Sequence, residues 1–204
     1  MSQADHLSLA VVILGAGAST RMGKPKLLLP WHTTTVIGGI LAQWRELGAA
    51  QIGLVMRSND TALEAELDQL HFPKQDRIEN PQPERGMFSS IVCAAHWNGW
   101  LKNINSWAIV LGDQPHLQTE TLQTLLKIHA QNRGGISQPM SGGHLAHPVI
   151  LPSSTFDSLK SSGATTLKDF LKLAAAPRVQ IEVNDAGLLL DMDTPEDYKR
   201  LQSR

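Results

Sequence analysis

The feature that most constrains this chain is an apolar run over residues 9–14, LAVVIL, that breaks directly into Gly15-Ala16-Gly17-Ala18-Ser19-Thr20-Arg21-Met22-Gly23-Lys24-Pro25-Lys26. An unbroken apolar hexapeptide reads as a strand buried on both faces, and such strands belong to parallel sheets covered by helices. Glycines directly after it let the backbone turn tightly and approach a ligand. Successive N–H groups in such a turn can cradle phosphate oxygens. Arg21 and Lys26 add charge-assisted contacts, and an arginine suits bidentate phosphate binding. Between Asp5 and Glu46 there is no acidic residue, whereas Arg21, Lys24, Lys26 and Arg45 are basic. In a chain of formal net charge −1, that local imbalance favours a polyanionic ligand.

Two phosphate motifs are excluded. A P-loop needs G-x-x-x-x-G-K-[ST]. Here Gly23-Lys24 has Ala18 at the first glycine position and Pro25 at the hydroxyl position. A dinucleotide fingerprint needs G-x-G-x-x-G. Gly15 and Gly17 fit it, but Thr20 fills the third place, and the ribose-binding acid expected about 20 residues on is missing.

The rest of the chain alternates short apolar runs with helical patterns, which predicts an α/β protein with a largely parallel sheet. The length of 204 residues suits a single domain over 1–204. Strands are predicted at 9–14, 52–56, 77–79, 107–111, 147–151, 179–183 and 188–191. Helices are predicted at 35–47, 61–70, 89–97 and 165–174, with another marked by Leu122, Leu125, Leu126 and His129. Residues 133–147 read as irregular. Thr194-Pro195-Glu196-Asp197 caps a last helix, with proline at its first position and Asp197 as the capping acid.

One cysteine, Cys93, rules out a disulfide framework and a cysteine-rich zinc site, and its apolar helical setting predicts a buried core thiol. No apolar run approaches the roughly 18 residues of a spanning helix. Residues 1–8 are polar and carry Asp5, unlike a secretory signal. The expectation is a cytoplasmic protein that engages neither membrane nor nucleic acid.

Two carboxylate positions stand out. Gly112-Asp113-Gln114-Pro115 ends an apolar strand, and in open α/β sheets ligands bind beyond such carboxyl ends. Asp113 is a candidate Mg²⁺ ligand there, or a turn aspartate. Asp191 and Asp193 share a face if their segment is extended, and Asp193 precedes the Thr194 cap. A hard divalent cation takes one or two such carboxylates plus substrate phosphates. His144 and His147 lie among glycines and before Pro148, a poor setting for a metal pair. His147 suits a hydrogen bond to a substrate better. His6, His32, His71, His96, His116 and His129 have no evident partners, and the tryptophans lack regular spacing and read as packing. Ser89 and Ser90 lie where they can cap a helix after the loop 80–85, whose N-terminus can also receive an anion.

Taken in order, Leu14-Gly15-Ala16-Gly17, Arg21-Met22-Gly23, Lys26-Leu27-Leu28, Gly86-Met87-Phe88-Ser89-Ser90, Gly112-Asp113-Gln114-Pro115, His147-Pro148-Val149 and Asp193-Thr194-Pro195-Glu196-Asp197 resemble the signature of the MobA-like nucleotidyltransferases over about residues 9–201. Within that family the chain is most similar to the molybdenum cofactor cytidylyltransferase branch. Gly15 stands where that branch usually has alanine, and Phe88 where serine is common. The resemblance implies a three-layer, Rossmann-like nucleotidyltransferase fold around a mostly parallel mixed sheet. It implies transfer of CMP from CTP to the terminal phosphate of molybdopterin cofactor, with release of pyrophosphate and dependence on Mg²⁺. A molybdoenzyme that receives the product is a further implied partner. The implied site has Arg21, Lys26 and Asp113 as catalytic groups and Asp113 and Asp193 as metal ligands. Leu14, Gly15, Ala16, Gly17 and Ser19 join Arg21 and Lys26 around the nucleotide phosphates. Asn80, Ser89 and Ser90 face base or ribose, and His147 faces the acceptor. A guanylyltransferase, another cytidylyltransferase of the same fold, and a non-catalytic nucleotide or cofactor carrier stay open on the residues alone.

Overall fold

The computed structural model describes residues 7–203, without the Thr20 side chain. The N-terminal reading over 1–8 therefore lies almost wholly outside the described residues, as does His6.

In chain order the elements are β1 (Leu9–Leu14), β2 (Pro30–Trp31), β3 (Thr34–Thr35), α1 (Val36–Glu46), β4 (Gln51–Arg57), α2 (Thr61–Gln69), β5 (Arg77–Asn80), α3 (Met87–His96), β6 (Ser106–Leu111), α4 (Thr119–Gln131), β7 (Ile136–Ser141), β8 (His144–Leu145), β9 (Val149–Pro152), α5 (Ser153–Ser158), α6 (Leu167–Leu173), β10 (Arg178–Glu182) and α7 (Pro195–Gln202). The main sheet has the order β10-β7-β9-β6-β1-β4-β5, and β8 pairs with β7. Along that path only β9 runs against its neighbours, so the sheet is mixed and mostly parallel.

The alternation of side chains along a strand sorts β1 between two cores. Leu9, Val11 and Ile13 join one with α1, α2 and α4, while Ala10 and Val12 join the other with α3, α5 and α6. The result is the expected three-layer fold. Ile37, Ile40, Leu41 and Trp44 follow the i, i+3, i+4, i+7 spacing and are all buried on α1. Thr35 caps that helix, accepting from Gly38 N at 3.2 Å. In the second core Trp107 and Phe156 stack with ring centroids 4.5 Å apart. The tryptophans pack, as their irregular spacing suggests.

Three predicted elements differ. Residues 133–147 contain β7 and β8. Ile136-Ser137-Gln138-Pro139-Met140-Ser141 hides its strand character because its interior residues are polar. Ser137 and Gln138 are buried all the same, and their polar atoms are paired. Residues 188–191 form turns, with Gly187 N on Asp185 Oδ1 at 2.8 Å and Leu190 N on Gly187 O at 3.0 Å. Leu188 is buried there as an anchor rather than as part of a strand. The helix expected at 89–97 begins at Met87, and Gly86, with φ +90°, sits at its N-cap. Neither Ser89 nor Ser90 caps it.

Two histidines expected without partners have them. His129 is fully buried between Ser137 Oγ and Ser106 Oγ, each at 2.9 Å. His116 Nε2 lies 3.0 Å from Gly187 O. Cys93 is half-buried beside the second core instead of inside it. Burial pushes its thiol pKa up, against the Arg85 charge.

The chain runs from β1 outward to β4 and β5, then crosses back to β6 on the other side. Strand order therefore switches between β1 and β6, where open α/β sheets bind ligands beyond the carboxyl ends. A glycine follows each strand there, Gly15 after β1 and Gly112 after β6.

Candidate functional site

The ends of β1 and β6 open into a cleft of about 310 Å³ whose walls include Leu14, Gly15, Ala16, Gly17, Ser19, Lys26, Ser90, Gly112 and Asp113. Gly15 N is bound to Val55 O at 2.7 Å, which continues the sheet by one bond and fixes where the loop begins. That N–H is therefore committed to the sheet and does not face a ligand, unlike the expectation that the loop amides act together from Gly15 on. The loop then passes through a left-handed residue, Ser19 with φ +49°, and a short helical turn, Thr20–Met22. Ser19 Oγ accepts from Lys26 N at 3.2 Å and so fixes the Lys26 backbone.

Lys26 is the centre of the charge arrangement. Its Nζ lies 3.1 Å from Asp113 Oδ2 and 2.6 Å from Asp193 Oδ1, and its side chain is only 12% exposed. Arg21 Nη2 reaches Asp193 Oδ2 at 2.7 Å while its own side chain stays 72% exposed. Burial lowers the Lys26 pKa, but the hydrogen bonds and charges of Asp193 and Asp113 together outweigh it and hold the ammonium above its ordinary value. Asp191 is exposed nearby. Partial desolvation, then repulsion from Asp113 and Asp193, pushes its carboxyl pKa up.

Asp193 arrives from the far end of the chain. The turn segment before it is anchored by buried Leu188 and Met192. The capping box on α7 fixes the backbone just after it: Thr194 Oγ1 accepts from Asp197 N at 3.2 Å, and Asp197 Oδ2 accepts from Thr194 N at 3.0 Å. Asp197 is thus the capping acid that its spacing predicts.

Asn80 and Ser89 lie behind the cleft wall. Asn80 is buried, and its Nδ2 donates to Ser89 Oγ at 2.8 Å and to Ser90 Oγ at 3.0 Å, while its Oδ1 accepts from Gln82 N at 2.9 Å. Ser90 is on the cleft surface; Ser89 and Asn80 border a separate surface groove with Cys93.

A second cleft, about 650 Å³, adjoins the first through Met87, which lines both. Gln138, His144, His147, Thr166, Lys168 and Arg178 contribute to it. Apart from His147, no local motif marks these residues, because they come from β7, β8, α6 and its N-cap, and β10. His147 Nδ1 lies 3.2 Å from Ile109 O, which can only accept, so a proton on Nδ1 makes that bond and leaves Nε2 as an acceptor. Burial lowers the His147 pKa, although the Ile109 carbonyl and the Asp113 charge favour the cation. Arg178 is held by Gln138 Oε1 at 2.9 Å and Leu171 O at 3.1 Å.

The donor set fits a hard divalent cation, which takes one or two carboxylates and completes its shell with substrate phosphates. Asp113 Oδ2 and Asp193 Oδ1 already converge on one cation, the Lys26 ammonium. Among the described residues no group of three or more His, Cys, Asp or Glu side chains forms a ready-made metal cage. None of the helices described is long and apolar enough to cross a membrane.

Residues 11–179 match the family described as MobA-like NTP transferase domain. The chain is 23% identical to the molybdenum cofactor cytidylyltransferase of Escherichia coli K12 over 197 residues, 95% of each chain. Its fold matches the crystal structure of Rv0371c from Mycobacterium tuberculosis H37Rv with a TM-score of 0.76 at 25% identity, over 97% of this chain and 98% of that one. A structure described as the manganese complex of the same mycobacterial protein matches with a TM-score of 0.70 at 23% identity, over 97% and 99%.

Proposed function

From the premise that the chain belongs to the MobA-like NTP transferase family, and is a nucleotidyltransferase, we propose that it transfers CMP from CTP to the terminal phosphate of a molybdopterin-type cofactor and releases pyrophosphate. The observation that carries this reading is the meeting of Lys26, Asp113 and Asp193 at the mouth of the glycine-lined cleft. The Escherichia coli relative supports the choice of CTP and acceptor.

In this reading the triphosphate lies along the loop after Gly15, with Arg21 and Lys26 neutralising the departing pyrophosphate. Asn80 acts by positioning Ser90 against ribose or base, and Ser89 supports it from behind. The acceptor occupies the second cleft, and Met87, common to both clefts, marks where donor and acceptor come together. His147 Nε2 faces the acceptor as a hydrogen-bonding group. The acceptor oxygen belongs to a phosphate already deprotonated at neutral pH, so this chain needs no strong general base. Phosphoryl-type transfer depends mainly on positioning and charge stabilisation, which these residues supply.

Asp113 and Asp193 would hold Mg²⁺, and a mycobacterial neighbour described as a complex with manganese supports the use of a divalent cation. When bound, the ion neutralises phosphate charge. In this reading the protein works in the cytoplasm, where a molybdoenzyme would receive the product.

The test is pyrophosphate release with molybdopterin cofactor and CTP, GTP, ATP or UTP in parallel. CTP-selective release supports the reading. GTP-selective release moves the protein to guanylyl transfer. Nucleotide binding without release from any pair supports a carrier.

A further inference from the structure

We propose that Lys26 is an electrostatic interlock: its ammonium occupies the divalent cation's place between Asp113 and Asp193 until nucleotide phosphates draw it away. Cation and nucleotide then bind as a coupled pair, and the cation alone binds weakly. This rests on the reading above that a nucleoside triphosphate and a divalent cation share this cleft.

The geometry has three parts. First, the oxygens that would ligate a cation are already engaged. Lys26 Nζ is 3.1 Å from Asp113 Oδ2 and 2.6 Å from Asp193 Oδ1, and Arg21 Nη2 takes the other Asp193 oxygen at 2.7 Å. A metal ion arriving alone must displace an ammonium from both carboxylates. Second, the ammonium has somewhere to go. Lys26 also lines the cleft beside Gly15, Ala16 and Gly17, where phosphate oxygens would offer Nζ a replacement anion. Its backbone is held by Ser19 Oγ at 3.2 Å, so the head group can swing while its root stays fixed. Third, the charges are near balance. The carboxylates Asp113, Asp191 and Asp193 face the cations Arg21 and Lys26. A divalent ion arriving alone must share these carboxylates with both cations, whereas a nucleotide brings the negative charge that draws Lys26 and Arg21 off them. Coupling of this kind is reciprocal: whatever factor the nucleotide adds to metal affinity, the metal adds to nucleotide affinity.

The test is a Mn²⁺ titration, read by the electron spin resonance of free Mn²⁺, on wild type, Lys26→Gln and Lys26→Arg without nucleotide. Removal of the charge is expected to tighten Mn²⁺ binding by about tenfold or more, within the usual range of such couplings. Lys26→Arg, which keeps the charge, is expected to stay near wild type. CTP is expected to raise Mn²⁺ affinity in the wild type and to do so much less in Lys26→Gln. Folding is checked by circular dichroism, and Lys26→Met, also neutral, replaces the glutamine variant if that one does not fold. A neutral variant that binds Mn²⁺ no tighter than wild type overturns the interlock. The nucleotide-free comparison decides this even if CTP turns out not to be the substrate, since failure of the proposed function would appear only in the CTP arm.

Discussion

Lys26 Nζ lies 2.6 Å from Asp193 Oδ1, although 167 positions separate the two residues. One follows the first strand and the other precedes the last helix. The site is therefore complete only when the C-terminal segment has docked, with Leu188 and Met192 in the core and α7 capped by Thr194. This explains why a short chain can carry both halves of a charge cluster on opposite ends of its sequence.

Asp113→Asn and Asp193→Asn are each expected to lower turnover by about 10²–10³, the usual loss when one electrostatic partner of a transferring phosphate is removed. Both side chains are partly exposed, so the fold should survive and the melting temperature should move little. Steady-state pyrophosphate release beside a thermal melt checks this. Near-normal turnover in either variant would remove that carboxylate from the site.

Asn80→Ala is expected to act on both stability and nucleotide binding. The side chain is buried and serves Ser89, Ser90 and the Gln82 amide. Its loss strands buried polar partners, at about 1–3 kcal/mol. It also frees Ser90 on the cleft wall, so KM for the nucleotide should rise. Ser89→Ala, which removes a hydroxyl behind the wall, should raise KM less. Equal effects from the two variants would show that Asn80 does not act through Ser90.

Acid should weaken the protein through His129. Burial, with the Arg133 charge second, brings its pKa from 6.5 down to about 4. A neutral imidazole donates from one nitrogen and accepts at the other, which matches one hydroxyl on each side. The unfolded chain takes up this proton near pH 6.5 and the folded chain only near pH 4. Stability is thus present above pH 6.5 and falls as pH drops from there, by about 3 kcal/mol in full. Urea unfolding between pH 7 and 4 should show that loss in the wild type and much less of it in His129→Gln. Parallel pH slopes would contradict the assignment.

The parts of this fold that were legible in the sequence are those set by local physics. The hexapeptide Leu9–Leu14, the α1 stripe of Ile37, Ile40, Leu41 and Trp44, and the Thr194–Asp197 capping box each carry their signal within a few residues. The parts that were not legible depend on distant partners. Strand β7 reads as a loop because Ser137 and Gln138 are polar, and only His129, Ala146 and Arg178 make them acceptable inside. Residues 188–191 read as a strand because three leucines run together there, while Asp185 turns the backbone and Leu188 alone is buried as an anchor. Asp113 and Asp193 were readable as carboxylates at an element boundary, but their meeting on Lys26 is a product of the sheet order. The second cleft draws on five elements and a loop, and only its Met87 and His147 lie in motifs that the sequence singles out.

Gly112 carries the last expectation. A Cβ there would stand 2.6 Å from Leu14 O and 3.0 Å from Leu27 Cδ2. The first of these is backbone, and it is also the acceptor of Gly112 N at 3.2 Å, so it cannot move aside cheaply. Gly112→Ala must therefore push apart the ends of β1 and β6, where the cleft begins. Overpacking of this kind costs about 1–3 kcal/mol. The same displacement moves Asp113 relative to Lys26, so nucleotide affinity should fall along with stability. Gly17 is the contrasting position: a Cβ there meets nothing within 4 Å, and Gly17→Ala should leave stability nearly unchanged. A melt of both variants, with and without CTP and Mg²⁺, separates the two. If Gly112→Ala melts with the wild type and gains as much from the nucleotide, then the contact between the two strand ends does not set the geometry of the site.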